Sequence, residues 1–189
     1  MKFYIAFLAL LLQIGCGELS TNERSGAKST SPSPDTQTRT RGNWISHESK
    51  SAMGDSSTVF SSIDSNNKLL NSIGMGKKVT MLVDCTDNRT SVIFLWPVFL
   101  GTAEPVEVDF KIDDGAIFSH MLYTGGESFV FSGGGEAIPF LRKLNGSSRL
   151  VVRAAGWREG PQEAILMIEG IAEGTKAVQT ACNWRMNGG

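Results

Sequence analysis

A short apolar run close to the N-terminus limits how much of this chain can fold as one unit. Residues 3–12 are almost all apolar, and Lys2 places a positive charge in front of them. The run is too short to cross a bilayer as a helix, since a transmembrane helix needs about 20 apolar residues. A positive start, a short apolar run and small residues after it are typical of a secretory signal. We therefore predict that residues 1–16 are a signal peptide.

The residues around Cys16 resemble a bacterial lipobox, in which a small residue precedes a cysteine that becomes lipidated. Ile14 and Gly15 suit the two positions before the cysteine, whereas Gln13 stands where leucine is usual. The resemblance implies palmitate-type acylation of Cys16 and a membrane partner reached through the lipid anchor, which is stable when several chains insert together. The protein would then face the periplasm from the cell envelope. The alternative is ordinary cleavage near Cys16, which would give a soluble periplasmic protein.

The next segment, residues 17–43, is rich in serine and threonine and includes Pro32 and Pro34. It has almost no large apolar residue, so it cannot bury enough surface to offset the entropy lost on ordering. We predict a disordered linker that holds a folded domain away from the membrane.

The remainder predicts a single globular domain over residues 44–185, with a tail at residues 186–189. Short runs of alternating apolar residues are separated by turn-forming glycine, asparagine and aspartate, which is typical of antiparallel strands. Residues 137–144 and 175–184 instead have apolar residues at helical spacing. We predict an α+β fold that is mainly antiparallel β, sandwich-like or a curved sheet, with two short helices.

Two cysteines remain after Cys16. Cys85 ends a predicted strand and Cys182 lies in the last predicted helix. In an exported protein, two such cysteines predict one disulfide, which would link the last helix to the sheet. A redox-active thiol is the alternative, but the chain lacks a Cys-x-x-Cys pair.

The charged and reactive residues exclude several classes of function. With 18 basic and 19 acidic side chains, the net charge of -1 argues against a nucleic-acid partner. His47 and His120 are not spaced as metal ligands, and no nucleophile elbow is present. We therefore predict no catalytic residue, no metal and no cofactor. Trp157 and Arg158 lie in a polar loop, and an exposed tryptophan there would suit a binding surface.

A series of short motifs occurs in order along residues 44–184. They are the opening pattern of Trp44, Ser49, Ser51 and Asp55, then Cys85 with the turn at 87–90, the strand at 108–113, the short helix at 140–144, and the closing Cys182 and Trp184. As an ordered set they resemble the VasI/TagO family of type VI secretion-associated proteins, small exported proteins also found in phage and other bacterial contexts.

The resemblance implies a non-enzymatic accessory role in the envelope, with an envelope or secretion-system protein as partner. Two positions depart from the family pattern, because Lys111 stands where arginine is usual and Phe118 where tryptophan is expected. With Trp157 and Arg158, Lys111 completes the predicted binding surface. The cysteines at matching places agree with the predicted disulfide.

The leading hypothesis is therefore an exported accessory lipoprotein that binds a protein or an envelope component. One alternative is an envelope enzyme acting on peptidoglycan or lipid, for which Asp113, Glu127 and Glu136 near glycine turns would be the candidate acids. A pair of carboxylates in a cleft, with one pKa raised, would favour that alternative. Another is a phage-encoded exclusion lipoprotein.

Overall fold

The computed structural model describes residues 37–50, 57–71, 73–101, 105–125, 128–131, 135–156 and 160–187. The predictions for the signal peptide, for Cys16 and for residues 17–36 of the linker lie outside these residues. The described part consists of strands and three short helices. The strands are β1 (Gln37–Arg41), β2 (Trp44–Lys50), β3 (Ser57–Asp64), β4 (Leu69–Leu70), β5 (Gly76–Lys77), β6 (Thr80–Thr86), β7 (Arg89–Leu95), β8 (Val106–Ile112), β9 (Phe118–Thr124), β10 (Ser128–Phe131), β11 (Arg149–Gly156) and β12 (Gly160–Met167). The helices are α1 (Ala137–Lys143), α2 (Ile171–Gly174) and α3 (Lys176–Ala181).

Ten of these strands form one antiparallel sheet. Its order is β1-β2-β3-β6-β7-β10-β9-β8-β11-β12, while β4 and β5 form a separate small pair. The mainly antiparallel α+β fold predicted from the sequence is thus confirmed. Helix α2 was not predicted, and it precedes α3 directly in the chain.

The predicted alternation of apolar residues places one face of the sheet in the core. Val79, Met81 and Val83 are fully buried, as are Val108 and Phe110 on β8. Because successive side chains of a strand point to opposite faces, the intervening residues lie on the other, outer face. The buried face packs against α1 and α3 in one continuous core.

The helices follow the predicted apolar spacing but are shorter than the predicted segments. Helix α1 buries Phe140 and Leu141, and α3 buries Val178. The predicted helix over 175–184 ends early, at Ala181, and Asn183 then adopts a φ of 51°. A left-handed residue just past the last turn is a common helix stop, and asparagine tolerates it better than most residues.

The boundaries of the domain need correction at both ends. Strand β1 lies within the predicted linker, and it pairs with β2 from Gln37↔Glu48 to Arg41↔Trp44. Composition predicted that this segment could not bury side chains, but backbone pairing along a neighbouring strand does not require it to. At the other end Met186, assigned to the tail, is 5% exposed and belongs to the core.

The far edge of the sheet is covered by the chain that follows β3. The Asn66 N–H donates to the carbonyl of Ile165 on β12 (2.7 Å), and the Ile165 N–H donates to Asn67 Oδ1 (2.8 Å). The Asn67 amide also donates to the carbonyl of Glu163 (2.7 Å). Since β3 and β12 lie far apart in the strand order, the sheet must curve until its end meets this segment. The contacts also satisfy backbone groups that an open edge would expose.

Candidate functional site

The predicted disulfide is present between Cys85 on β6 and Cys182 at the end of α3. Their Cα atoms are 5.7 Å apart, and both side chains are more than nine-tenths buried. The bond links the sheet to the last helix across a sequence separation of 97 residues. Because Asn183 directly follows Cys182, the bond also fixes the position of the first residue after α3.

The chain after α3 forms one wall of a large open cleft, which we call the C-terminal cleft. Its volume is about 890 Å³. Arg142 Nε on α1 donates to the carbonyl of Arg185 (3.1 Å), and the Met186 N–H donates to Gln179 Oε1 on α3 (3.0 Å). These bonds hold residues 183–187 against both helices. The cleft is lined by Arg142, Ala172, Glu173, Lys176, Gln179, Thr180, Asn183, Trp184, Arg185, Met186 and Asn187.

The outer face of the sheet bears a second feature, a group of apolar side chains of which four are exposed and two are partly buried. Strand register places Leu82 directly opposite Ile93, and it places Ile45 and Tyr123 in the same row, beyond Ser62 and Val130 respectively. We call this group the outer apolar patch; it consists of Ile45, Leu82, Ile93, Leu95, Met121 and Tyr123. The exposed fractions of Ile45, Leu95, Met121 and Tyr123 are 41%, 46%, 59% and 68%.

Next to this patch, β9, β8, β11 and β12 carry a polar row on the same outer face. Arg153 donates twice to Asp109 Oδ2 (2.9 and 2.6 Å) and lies 3.6 Å from a Glu163 carboxylate oxygen. Ser119 donates to Asp109 Oδ1 (2.6 Å). The residues are paired in the order Ser119↔Asp109↔Arg153↔Glu163.

These bonds hold the pKa of Asp109 below its usual range, the Ser119 hydroxyl contributing most and Arg153 next. Because the folded pKa is lowered, the carboxylate stabilises the fold at pH values above its unfolded pKa of about 3.9. That contribution is lost as the pH falls through the folded pKa. The row is thus a structural ion network that is intact at neutral pH.

Of the three predicted binding residues, the described structure places Lys111. Lys111 pairs with Val151 on β11, whereas the β11–β12 hairpin ends at the Gly156↔Gly160 pair. Trp157 and Arg158 themselves lie outside the described residues. Lys111 instead lines a shallow pocket of about 290 Å³ together with Arg149 and Arg153.

The candidate acids of the enzymatic alternative occupy different roles. Asp113 Oδ1 accepts the backbone N–H groups of Ser148 (3.1 Å) and Arg149 (2.9 Å), which hold its pKa below the usual range, with Arg149 the larger cause. Asp113 has a φ of 47°, so its side chain secures a tight turn. Glu136 is exposed just before α1, and Glu127 lies outside the described residues.

A carboxyl with a raised pKa does occur, at Asp84 on the outer face of β6. Burial is the main cause, and a hydrogen bond from the Thr86 hydroxyl (3.0 Å) partly opposes it. The residues directly opposite Asp84 are Phe60 and Ser91, so its cross-strand neighbours are a phenyl ring and a hydroxyl.

Within the described residues, no three of His, Cys, Asp and Glu cluster as metal ligands, and no helix is long and apolar enough to span a membrane.

Sequence reasoning missed both the outer apolar patch and the C-terminal cleft. The patch had a signal in the sequence, since residues 92–100 are apolar at every position and not only at alternate ones. Such a run predicts a strand with two apolar faces. The cleft had no such signal, because its residues come from α1, α2, α3 and the following chain.

Comparisons with protein-family models, with curated proteins and with solved structures find no match to this chain.

Proposed function

We propose that this chain is a non-enzymatic accessory protein of the bacterial envelope, which binds another protein through the outer apolar patch. The patch is the observation that supports this most strongly. Soluble proteins rarely leave several large apolar side chains exposed side by side unless a partner covers them. Tyr123 and Met121, its two most exposed members, are residue types enriched in the centres of protein interfaces.

The position of the patch strengthens the proposal. The core face of β6 and β7 already packs against α3 and α1, so the side chains on the outer face of these strands remain available to a partner. The polar row of Asp109, Arg153 and Glu163 lies on the neighbouring strands. An apolar centre beside a polar rim is the usual arrangement of a protein interface.

The disulfide supports an exported protein, because disulfides persist mainly in oxidising compartments. The signal peptide and the lipidation of Cys16 complete this proposal and would leave the domain facing the periplasm. The resemblance to the VasI/TagO family suggests that the partner belongs to a type VI secretion system or a related assembly.

We expect the double variant Leu95→Glu with Tyr123→Ser to lose its partner without unfolding. Leu95 is 46% and Tyr123 68% exposed, so the free energy of unfolding should change little, as for most surface substitutions. Truncating an interface anchor commonly costs 2 kcal/mol or more, and we expect the recovered complex to fall at least tenfold. The measurement is quantitative co-purification from detergent-solubilised envelopes of the organism that encodes the chain.

The matched control is Ile73→Glu, which charges a side chain that is 74% exposed but lies in the turn between β4 and β5, outside the patch. It should leave the complex intact. A folded double variant that keeps the complex would contradict the proposed interface. Clear turnover of peptidoglycan by the purified protein would contradict the non-enzymatic role.

We expect Cys16→Ser to release the protein from the membrane fraction, because serine offers no thiol for the lipid. The measurement is the distribution of the protein between membrane and soluble fractions, with the mass of the N-terminal peptide as a second readout. Ser20→Ala, a substitution in the polar segment after the anchor, serves as control and should stay with the membranes. A Cys16→Ser variant that fractionates with membranes would show that lipidation is wrong.

A further inference from the structure

The C-terminal cleft carries more positive than negative charge. Arg142, Lys176 and Arg185 line it, and among its described lining residues Glu173 is the acidic one. Lys176 lies 3.8 Å from Glu173 with both side chains about 60% exposed, and such a surface pair is worth little. Neither Arg142 nor Arg185 forms an ion pair with a carboxylate of the described chain. Two guanidinium groups are therefore available to a ligand.

The lining also offers hydrogen-bond donors that no acceptor of the described structure uses. Arg142 uses only Nε within the described structure, so its terminal nitrogens can still donate. Asn187 Oδ1 already accepts from Asn145 (2.7 Å), which leaves the amide nitrogen of Asn187.

Size and polarity narrow the class of ligand. At about 890 Å³, the cleft lies at the upper end of the range of small-molecule sites, roughly 300–1,000 Å³, and has far more room than a phosphate ion needs. Asn183 adds an amide to the lining, and Thr180 adds a hydroxyl that donates to the Lys176 carbonyl (2.9 Å) and can still accept a hydrogen bond. We propose that the C-terminal cleft binds a small hydroxylated anion, a sugar phosphate or a sugar acid, whose charged group pairs with Arg142 and Arg185.

The wall that carries Arg185 is held in place before any ligand arrives. The Cys85–Cys182 disulfide anchors its start, and the hydrogen bond from the Met186 N–H to Gln179 fixes its middle. A preformed wall reduces the ordering cost of binding. This site is separate from the outer apolar patch, since the lining of the cleft shares no residue with the patch.

The test is calorimetric titration of the purified protein with glucose 6-phosphate, glucuronate, glucose and inorganic phosphate. Arg185→Gln is the informative variant, because the Arg185 side chain is exposed and only its carbonyl bonds to Arg142. We expect at least one of the two sugar anions to bind with a Kd below about 1 mM, a modest affinity of at least roughly 4 kcal/mol. Arg185→Gln should weaken this binding at least tenfold.

The matched control is Arg89→Gln, an exposed arginine at the start of β7 that does not line the cleft; it should bind as the wild type does. Binding of only the phosphate or only the acid would identify the charged group and support the site. The proposal is overturned if neither sugar anion binds, if glucose or inorganic phosphate binds as tightly, or if Arg185→Gln binds like the wild type. Loss of the protein partner in the patch variant would not affect these outcomes.

Discussion

Removing the Cys85–Cys182 disulfide is expected to lower the free energy of unfolding by about 4–5 kcal/mol. The bond closes a loop with a sequence separation of 97 residues, and the chain-entropy model gives about 4.7 kcal/mol for a loop of 100 residues. Whole domains of this kind are stable by only about 5–15 kcal/mol. The loss is therefore a large part of the total, and the reduced protein should be close to unfolding at elevated temperature.

The variant that measures this is Cys85→Ala with Cys182→Ala, since both sites are buried and alanine leaves no unpaired hydroxyl there. Denaturant unfolding should give a lower midpoint for the variant than for the oxidised wild type. Wild-type protein in reductant should move towards the variant, while the variant itself should not respond to reductant. Equal midpoints for the oxidised wild type and the double variant would show that the bond contributes nothing to stability.

The disulfide also attaches one wall of the C-terminal cleft to the sheet. Helix α3 is also attached to the core through the buried Val178, whereas residues 183–187 directly follow Cys182. Without the bond they would still be held by hydrogen bonds to Arg142, Gln179 and Asn145 and by the burial of Trp184 and Met186. We infer that the disulfide stabilises the whole domain through loop closure and the cleft through direct attachment.

Local periodicity was enough to predict most elements of this fold. The alternation of Val79, Met81 and Val83 specifies both a strand and its buried face, and the same holds for Val108 and Phe110 on β8. Turn residues also behave as expected, because Asp87 and Asn88 adopt positive φ between β6 and β7. These properties depend on neighbours in sequence, so a single chain reveals them.

The strand order and the closure of the sheet could not be predicted in this way. Strand β10 lies between β7 and β9, and the asparagines after β3 bond to β12, about a hundred residues later. Such pairings depend on contacts between strands that are far apart in sequence, and local composition does not predict these contacts. The candidate surfaces share this property, since Arg142 and Arg185 meet only once α1 and the chain after α3 are in place.

Gly174→Ala is expected to destabilise the domain by about 1–3 kcal/mol or more, the range for overpacking a core. A Cβ at Gly174 would lie 2.3 Å from Trp44 Cγ and 2.7 Å from both Cδ atoms, closer than any real contact. Trp44 is fully buried, and Ser46 Oγ donates to the Gly174 carbonyl (3.0 Å). The indole therefore has little room to move, and the glycine backbone is held against it.

The sign of this effect separates two physical causes. Gly174 ends helix α2, and helix propensity alone predicts that alanine would stabilise it by up to about 1 kcal/mol. Steric contact predicts the opposite sign. Gly135→Ala is the matched control, because a Cβ there meets nothing within 4 Å, and it should change the free energy of unfolding little.

A double-mutant cycle with Trp44→Leu tests whether the indole is the atom group that clashes. Trp44→Leu alone should destabilise the domain, since it empties part of a fully buried site. Combined with Gly174→Ala, it should cost less than the sum of the two single changes, because the smaller side chain leaves space for the new methyl group. If the losses in free energy of unfolding are additive, the new methyl group does not clash with the Trp44 indole. A Gly174→Ala variant with an unchanged or higher unfolding midpoint would show that Trp44 can move aside.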